Sequence, residues 1–253
     1  MNLPHVAELH YAMRMEHPRA RIADDAVCED VELGPFRCTI THEHRLIAVP
    51  QEHFATEGEA RAVLEPCLRA WESHADLTAD FRLRFTFQST TIVDQDPLPD
   101  QLAPTGKPLK LRWNPQGPTL IVHAWPPVPP AALRETDDVC WMRMRWLAAL
   151  DGKEDLLATA NRVLSWLEQA YGQGAREQAA ASLFVDRSVL DQVSELSVAG
   201  AAGPLASDEI AWLREAVPRL ILRAAEVESL PHPLPTLSAD RLEGGSLWAG
   251  PTT

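Results

Sequence analysis

Four side chains near the start of the chain are of the types that bind transition metals: Cys38, His42, His44 and His53. His42 and His44 stand two apart and would share one face of a strand. Cys38 has the same parity and His53 follows the next strand, so imidazole and thiolate could converge on Zn²⁺. The spacing matches no standard zinc pattern, and His42-Glu43-His44 reads equally as the polar link of a hairpin. No stoichiometric metal and no cofactor is expected. Asp94 and Asp96 could pair as carboxylates, yet Asp-x-Asp-Pro is also an ordinary turn. Cys38 has histidines close in sequence, and only the fold could make them partners of a nucleophile. There is no G-x-S-x-G elbow, no Walker motif and no dinucleotide fingerprint. With 12 glycines in 253 residues, phosphate cradles are short of material.

The run Arg69-Ala70-Trp71-Glu72-Ser73-His74 resembles the R-x4-H pattern of the HEPN ribonuclease family over six residues. The resemblance implies a His acting on the ribose hydroxyl proton, an Arg holding the phosphate, and a helical bundle. This run lies in a strand-rich half of the chain. Its other reading places Arg69 and His74 on the wet face of a helix while Leu68 and Trp71 pack inward.

Residues Ala175 to Leu196 look like a helix-turn-helix, with Val185-Asp186 at the turn. The second helix would display Arg187, Asp191, Gln192 and Glu195, two of which meet phosphate with the wrong charge. Residues 151–228 hold 7 Lys/Arg against 13 Asp/Glu, so a packing role for Val189, Leu190 and Val193 is preferred. Six of the eight tryptophans fall at apolar-phase positions. Trp125, beside a proline run, and Trp248, near the end, are the candidate contact anchors for a partner.

These residues sit in a chain whose balance is globular and acidic: 45% hydrophobic, 23% charged, with a net charge of −13. That field repels a phosphate backbone, so nucleic acid is not expected as a partner. The four cysteines, Cys28, Cys38, Cys67 and Cys140, form no C-x-x-C pair and fit a reducing cytoplasm. Met1-Asn2-Leu3-Pro4-His5 does not read as a signal peptide. No apolar run approaches the roughly 18 residues a membrane span needs.

Periodicity assigns the elements. Leu9–Glu16 is a strand, and Phe36–Thr41 with Arg45–Val49 forms a hairpin. Thr56-Glu57-Gly58-Glu59 is a capping box for a helix over Glu57–Leu77, with Pro66 inside it. Phe81, Leu83, Phe85 and Phe87 alternate with polar residues in the clearest strand, which extends toward Val93. Leu109–Trp113 and Thr119–Trp125 are two further strands around the turn Asn114–Gly117. Pro126-Pro127-Val128-Pro129-Pro130 is a stiff connector and the predicted domain boundary. Helices then follow: one around Val139–Trp146 (a strand also fits there), Glu154–Tyr171, Arg176–Phe184, Arg187–Val198, and one from Ser207 with a kink at Pro218.

The expected fold class is α+β: an antiparallel sheet with a covering helix in residues 1–130, a helical part in 131–228, and a flexible Pro/Gly-containing tail in 229–253. The expected function is a non-enzymatic interaction or accessory protein with a protein partner, assembly with a second copy being left open. A helix-turn-helix regulator over 175–198, a metal-dependent or HEPN-like hydrolase, and an apolar-ligand binder are the alternatives, in that order.

Overall fold

The computed structural model describes residues 4–16, 20–22, 30–41, 43–79, 82–93, 120–122, 125–130, 132–199, 204–231 and 233–239. His42, Asp94, Asp96 and Trp248, the predicted strand at 109–113 and its turn lie outside these residues.

The fold is α+β. Strands β1 (His5–Glu16), β3 (Asp30–Leu33), β4 (Phe36–Ile40), β5 (Arg45–Pro50) and β6 (Arg82–Val93) form an antiparallel sheet in the order β3-β4-β5-β1-β6. The predicted hairpin is β4–β5, with Cys38 opposite Ala48 and Ile40 opposite Leu46. Two short elements were not anticipated: β3, and β2 (Ala20–Ile22), which pairs in parallel with β7 (Leu120–Val122). Runs of three or four residues carry too little periodicity to be seen.

Alternation turns one face of the sheet inward, with Leu9, Tyr11, Met13, Phe36, Cys38, Ile40, Leu46 and Leu83 all buried. Against this face packs the front of α1 (Glu57–Thr78), through Leu64, Leu68 and Trp71. The α1 capping box forms as its sequence requires: Glu59 N donates to Thr56 Oγ1 at 3.2 Å, and the Glu59 carboxylate accepts from Ala55 N at 3.0 Å. Pro66 is exposed, so its ring faces water rather than the core.

The chain separates into two compact units, Met1–Glu72 with Asp80–Ala131, and Ser73–Ala79 with Ala132–Thr253. The first boundary falls inside α1. Helices α2 (Asp137–Leu150), α3 (Leu156–Gly172), α4 (Arg176–Leu183), α5 (Arg187–Ala199) and α6 (Ser207–Ser229) make up the second unit. Thr136 caps α2 through Val139 N, and Asp155 caps α3 through Ala158 N at 2.7 Å. A Cβ on Gly172 would lie 2.7 Å from Ala179 N, so only glycine lets α3 and α4 meet this closely. Arg176 then ties three helices together, reaching Glu168 at 2.5 Å, Asp191 at 3.0 Å and Ser194 at 3.0 Å.

Two expectations about this unit are now placed. Val189, Leu190 and Val193 are buried, while Arg187 is exposed and pairs with Asp191 at 3.3 Å. The tail expectation needs correction at Leu237. This side chain is 6% exposed, and its backbone brackets Val185: Leu237 N donates to Phe184 O and Asp186 N to Leu237 O, both at 2.9 Å. One docked leucine leaves no periodic signal, which is why the sequence pattern missed it.

Leu237→Ala should cost about 2–4 kcal/mol, as should Leu190→Ala, because each vacates packed volume. Arg187→Ala should stay within about 0.5 kcal/mol, since its ion pair is wet. Urea denaturation of the three variants measures this, and a neutral Leu237→Ala would show that the contact contributes nothing.

Candidate functional site

Between α1 and β6, within the first unit, lies a cleft of about 280 Å³ lined by Tyr11, Arg61, Glu65, Leu68, Arg69, Glu72, Phe85, Thr86 and Phe87. Three local features build it. First, a bulge between His10 and Tyr11 leaves Gln88 unpaired, so Tyr11 faces Phe87 while His10 faces Ser89. Bulges re-aim side chains, and this one sets the Tyr11 and Phe87 rings edge to face with centroids 5.5 Å apart.

Second, α1 carries Glu57, Arg61 and Glu65 one turn apart. Arg61 reaches both carboxylates, at 3.0 and 2.7 Å, and lies 4.2 Å over the Phe87 ring. Glu57 also accepts from Thr90 Oγ1 at 3.0 Å, which ties the start of α1 to β6. Third, Phe85 N donates to Glu72 at 2.6 Å, and the Phe85 ring packs on Trp71 with centroids 5.2 Å apart.

The electrostatics follow from those contacts. Tyr11 is 2% exposed, and its hydroxyl sits beside Arg61 without a well-formed hydrogen bond. Burial, reinforced by Glu65, pushes its pKa up to about 12, so it remains a phenol at neutral pH. Arg61 is consumed by its two glutamates and Glu72 holds Phe85 N. Arg69 is different: it is exposed at the cleft and makes no hydrogen bond or ion pair among the described residues. The cleft therefore offers an aromatic floor and one available guanidinium.

Arg69 is also half of the R-x4-H run, but its partner is not beside it. Five residues turn a helix through about 140° beyond a full turn. Arg69 is exposed on the first unit, and His74 is 3% exposed in the second. Burial, then the charge of Arg219, pushes His74 down to about 4. An imidazole so buried and so far round the helix cannot share a ribose phosphate with Arg69.

The metal set is likewise dispersed. Cys38 points into the core with no exposure, and burial, with Cys67 nearby, pushes its thiol up to about 12. His44 occupies the hairpin turn at a φ of 58° and packs edge to face on Trp125. His53 is exposed, its ring 6.1 Å from that of His5. Strand parity failed because β4 ends at Ile40, before the histidines. Among the described residues no three His, Cys, Asp or Glu side chains are grouped to hold a metal ion.

Trp125 also moves from the expected role. It is 6% exposed, packed with His44 next to the proline run, and not available as a surface anchor. The cleft was missed in the sequence. Its signal, Phe85 and Phe87 sharing parity with a tyrosine on another strand, becomes visible only with the β1–β6 register.

The chain matches no protein-family model, no curated protein and no solved structure.

His74 gives a pH dependence with a definite sign. Its ordinary value is 6.5 and its folded value about 4, so the unfolded chain binds the proton more readily. The stability it contributes is complete above pH 6.5 and is lost as the pH falls toward 4. Between pH 7 and pH 4.5 the loss from this group is roughly 2 kcal/mol. Urea melts in chloride buffer should show His74→Gln losing that much less than the parent over the same range; equal losses would place the imidazole in water.

Proposed function

We propose that this chain is a non-enzymatic interaction protein whose α1–β6 cleft receives one apolar side chain of a partner protein together with an adjacent carboxylate. The observation that carries the reading is Arg69: an exposed guanidinium, with no ion pair among the described residues, lining a cleft together with Tyr11, Phe85 and Phe87. At about 280 Å³ the cleft suits a single large side chain, since sites for drug-sized molecules run from roughly 300 to 1,000 Å³. Tyrosine and arginine are among the residues enriched at interaction hot spots.

The net charge of −13 shapes the partner further. Long-range repulsion disfavours an acidic partner, so the carboxylate belongs to an otherwise neutral or basic segment, either as one acidic side chain or as the chain terminus. DNA fits less well, because Arg187 on α5 is already paired with Asp191 and the residues behind it are buried. A cytoplasmic location accords with free thiols at Cys38, Cys67 and Cys140. No helix among the described residues is long and apolar enough to cross a membrane.

Display selection of peptides with free C-termini, followed by calorimetric titration of the selected sequences, tests this reading. Selected peptides should carry an apolar residue next to a carboxylate, and Arg69→Ala should weaken them about tenfold or more, the worth of a charge-assisted hydrogen bond. Amidating the C-terminus separates a terminal carboxylate from a side-chain one. Binding indifferent to Arg69→Ala, or affinity that survives both C-terminal amidation and replacement of every acidic side chain in the selected peptides, would remove it.

A further inference from the structure

The cleft is bordered on one side by the edge strand of the sheet. In the order β3-β4-β5-β1-β6, β6 pairs with β1 and, among the described residues, with nothing on its other side. The β1 ladder decides which backbone groups of β6 point that way. Met13 N donates to His44 O at 2.8 Å, so Met13 bonds toward β5 and not toward β6. Antiparallel bonding alternates along a strand. Tyr11, Met13 and Met15 therefore leave the residues opposite them, Phe87, Phe85 and Leu83, with N–H and C=O turned outward.

Side chains occupy three of these outward groups. Phe85 N donates to the Glu72 carboxylate at 2.6 Å, Leu83 O accepts from Arg84 Nη1 at 2.6 Å, and Phe87 O accepts from Gln88 Nε2 at 3.4 Å. Each is a bond that a neighbouring strand would make, made instead by a side chain that can rotate away. Protection of an edge needs no more than this, but it does not need an aromatic cavity beside the edge. Here Phe85 and Phe87 line the cleft with the same residues that turn their backbone outward.

The direction of a guest strand follows from α1. Glu57, at its start, accepts from Thr90 Oγ1, and Glu72, nearer its end, accepts from Phe85 N, so α1 and β6 run in opposite senses. Arg69, less than one turn before Glu72, therefore lies toward the Phe85 end of the cleft. An antiparallel guest residue opposite Phe85 meets both its N–H and its C=O.

We propose that the partner segment is an extended peptide that adds to β6 as a further antiparallel strand, pairing with Phe85 and Phe87 and running toward Arg69, so that its carboxylate follows its apolar anchor in sequence. This mode of binding rests on the cleft being a peptide site, and it adds the conformation and direction of the occupant. In strand addition the main-chain bonds give affinity and the pocket for an alternate side chain gives specificity.

The tightest peptide from the display selection, synthesised as a series with one backbone amide N-methylated at a time, provides the test by calorimetric titration against the full chain. Peptide N–H groups that point at β6 recur every second residue, so methylation should weaken binding about tenfold or more at alternate positions and by less than about threefold between them. An even loss along the peptide, with Arg69→Ala still weakening binding, would overturn strand addition and leave the cleft reading standing. Indifference to Arg69→Ala, or a selection without binders, removes both. Selected sequences whose carboxylate precedes the apolar residue would also overturn the proposal. Hydrogen exchange in the chain alone tests the other occupant of an open edge: a Phe87 amide that grows protected as protein concentration rises would assign β6 to a second copy and overturn the peptide.

Discussion

The Trp71 indole is held from three directions inside the first unit. Its Nε1–H donates to Pro126 O at 3.0 Å, its ring packs against Phe85, and it has no solvent exposure. A buried indole N–H left unpaired would cost roughly 1–3 kcal/mol, so the donor fixes where the proline segment must lie. The stiffness of that segment makes the fixation effective: a polyproline carbonyl is an acceptor that cannot turn away. Phe85 is then confined between Trp71 and the Glu72 carboxylate that takes its N–H. One tryptophan thus sets the separation of α1 and β6, and that separation is the width of the cleft.

Where the arginines go explains which surfaces are already spent. Arg143 lies between Asp76 at 2.5 Å and Glu135 at 2.8 Å, and Ser73 donates to the same Glu135 at 3.1 Å. This buried network fastens the last turns of α1 to α2 within the second unit. Arg176 and Arg61 each hold two carboxylates in the same way. In an acidic chain such pairing is the default, because carboxylates outnumber their partners. Arg69 escapes it among the described residues. It stands on a wet face where hydration replaces a counter-ion at little cost.

The legibility of the fold tracks the range of the interactions that make it. The hairpin of β4 and β5, the capping box of α1 and the stripes of α3, α5 and α6 were readable because each is decided within about 20 residues. Leu83, Phe85 and Phe87 announced a strand by parity alone. The cleft was not readable, since Tyr11 and Phe87 meet through a bulge at Gln88 and a register joining segments more than 70 residues apart. Leu237 and Trp125 were misjudged for a related reason. Composition around them, rich in proline and poor in period, describes the chain's local stiffness and not whether one side chain finds a hole in a distant core.

The R-x4-H run shows how a motif loses its chemistry without losing its residues. Catalysis by an Arg–His pair needs both groups on one substrate, hence on one face. The interval of five puts them on different faces, and the boundary between the two units falls between them, after Glu72. Each residue accordingly took the environment of its own neighbours. Arg69 follows Arg61 and Glu65 to the open side of α1, and His74 follows Trp71 and Ala75 to the buried side. The chemistry the sequence suggested for one site is divided between two. The guanidinium in the first unit has aromatic surface but no imidazole, and the imidazole in the second has Arg219 instead of Arg69 as its cation.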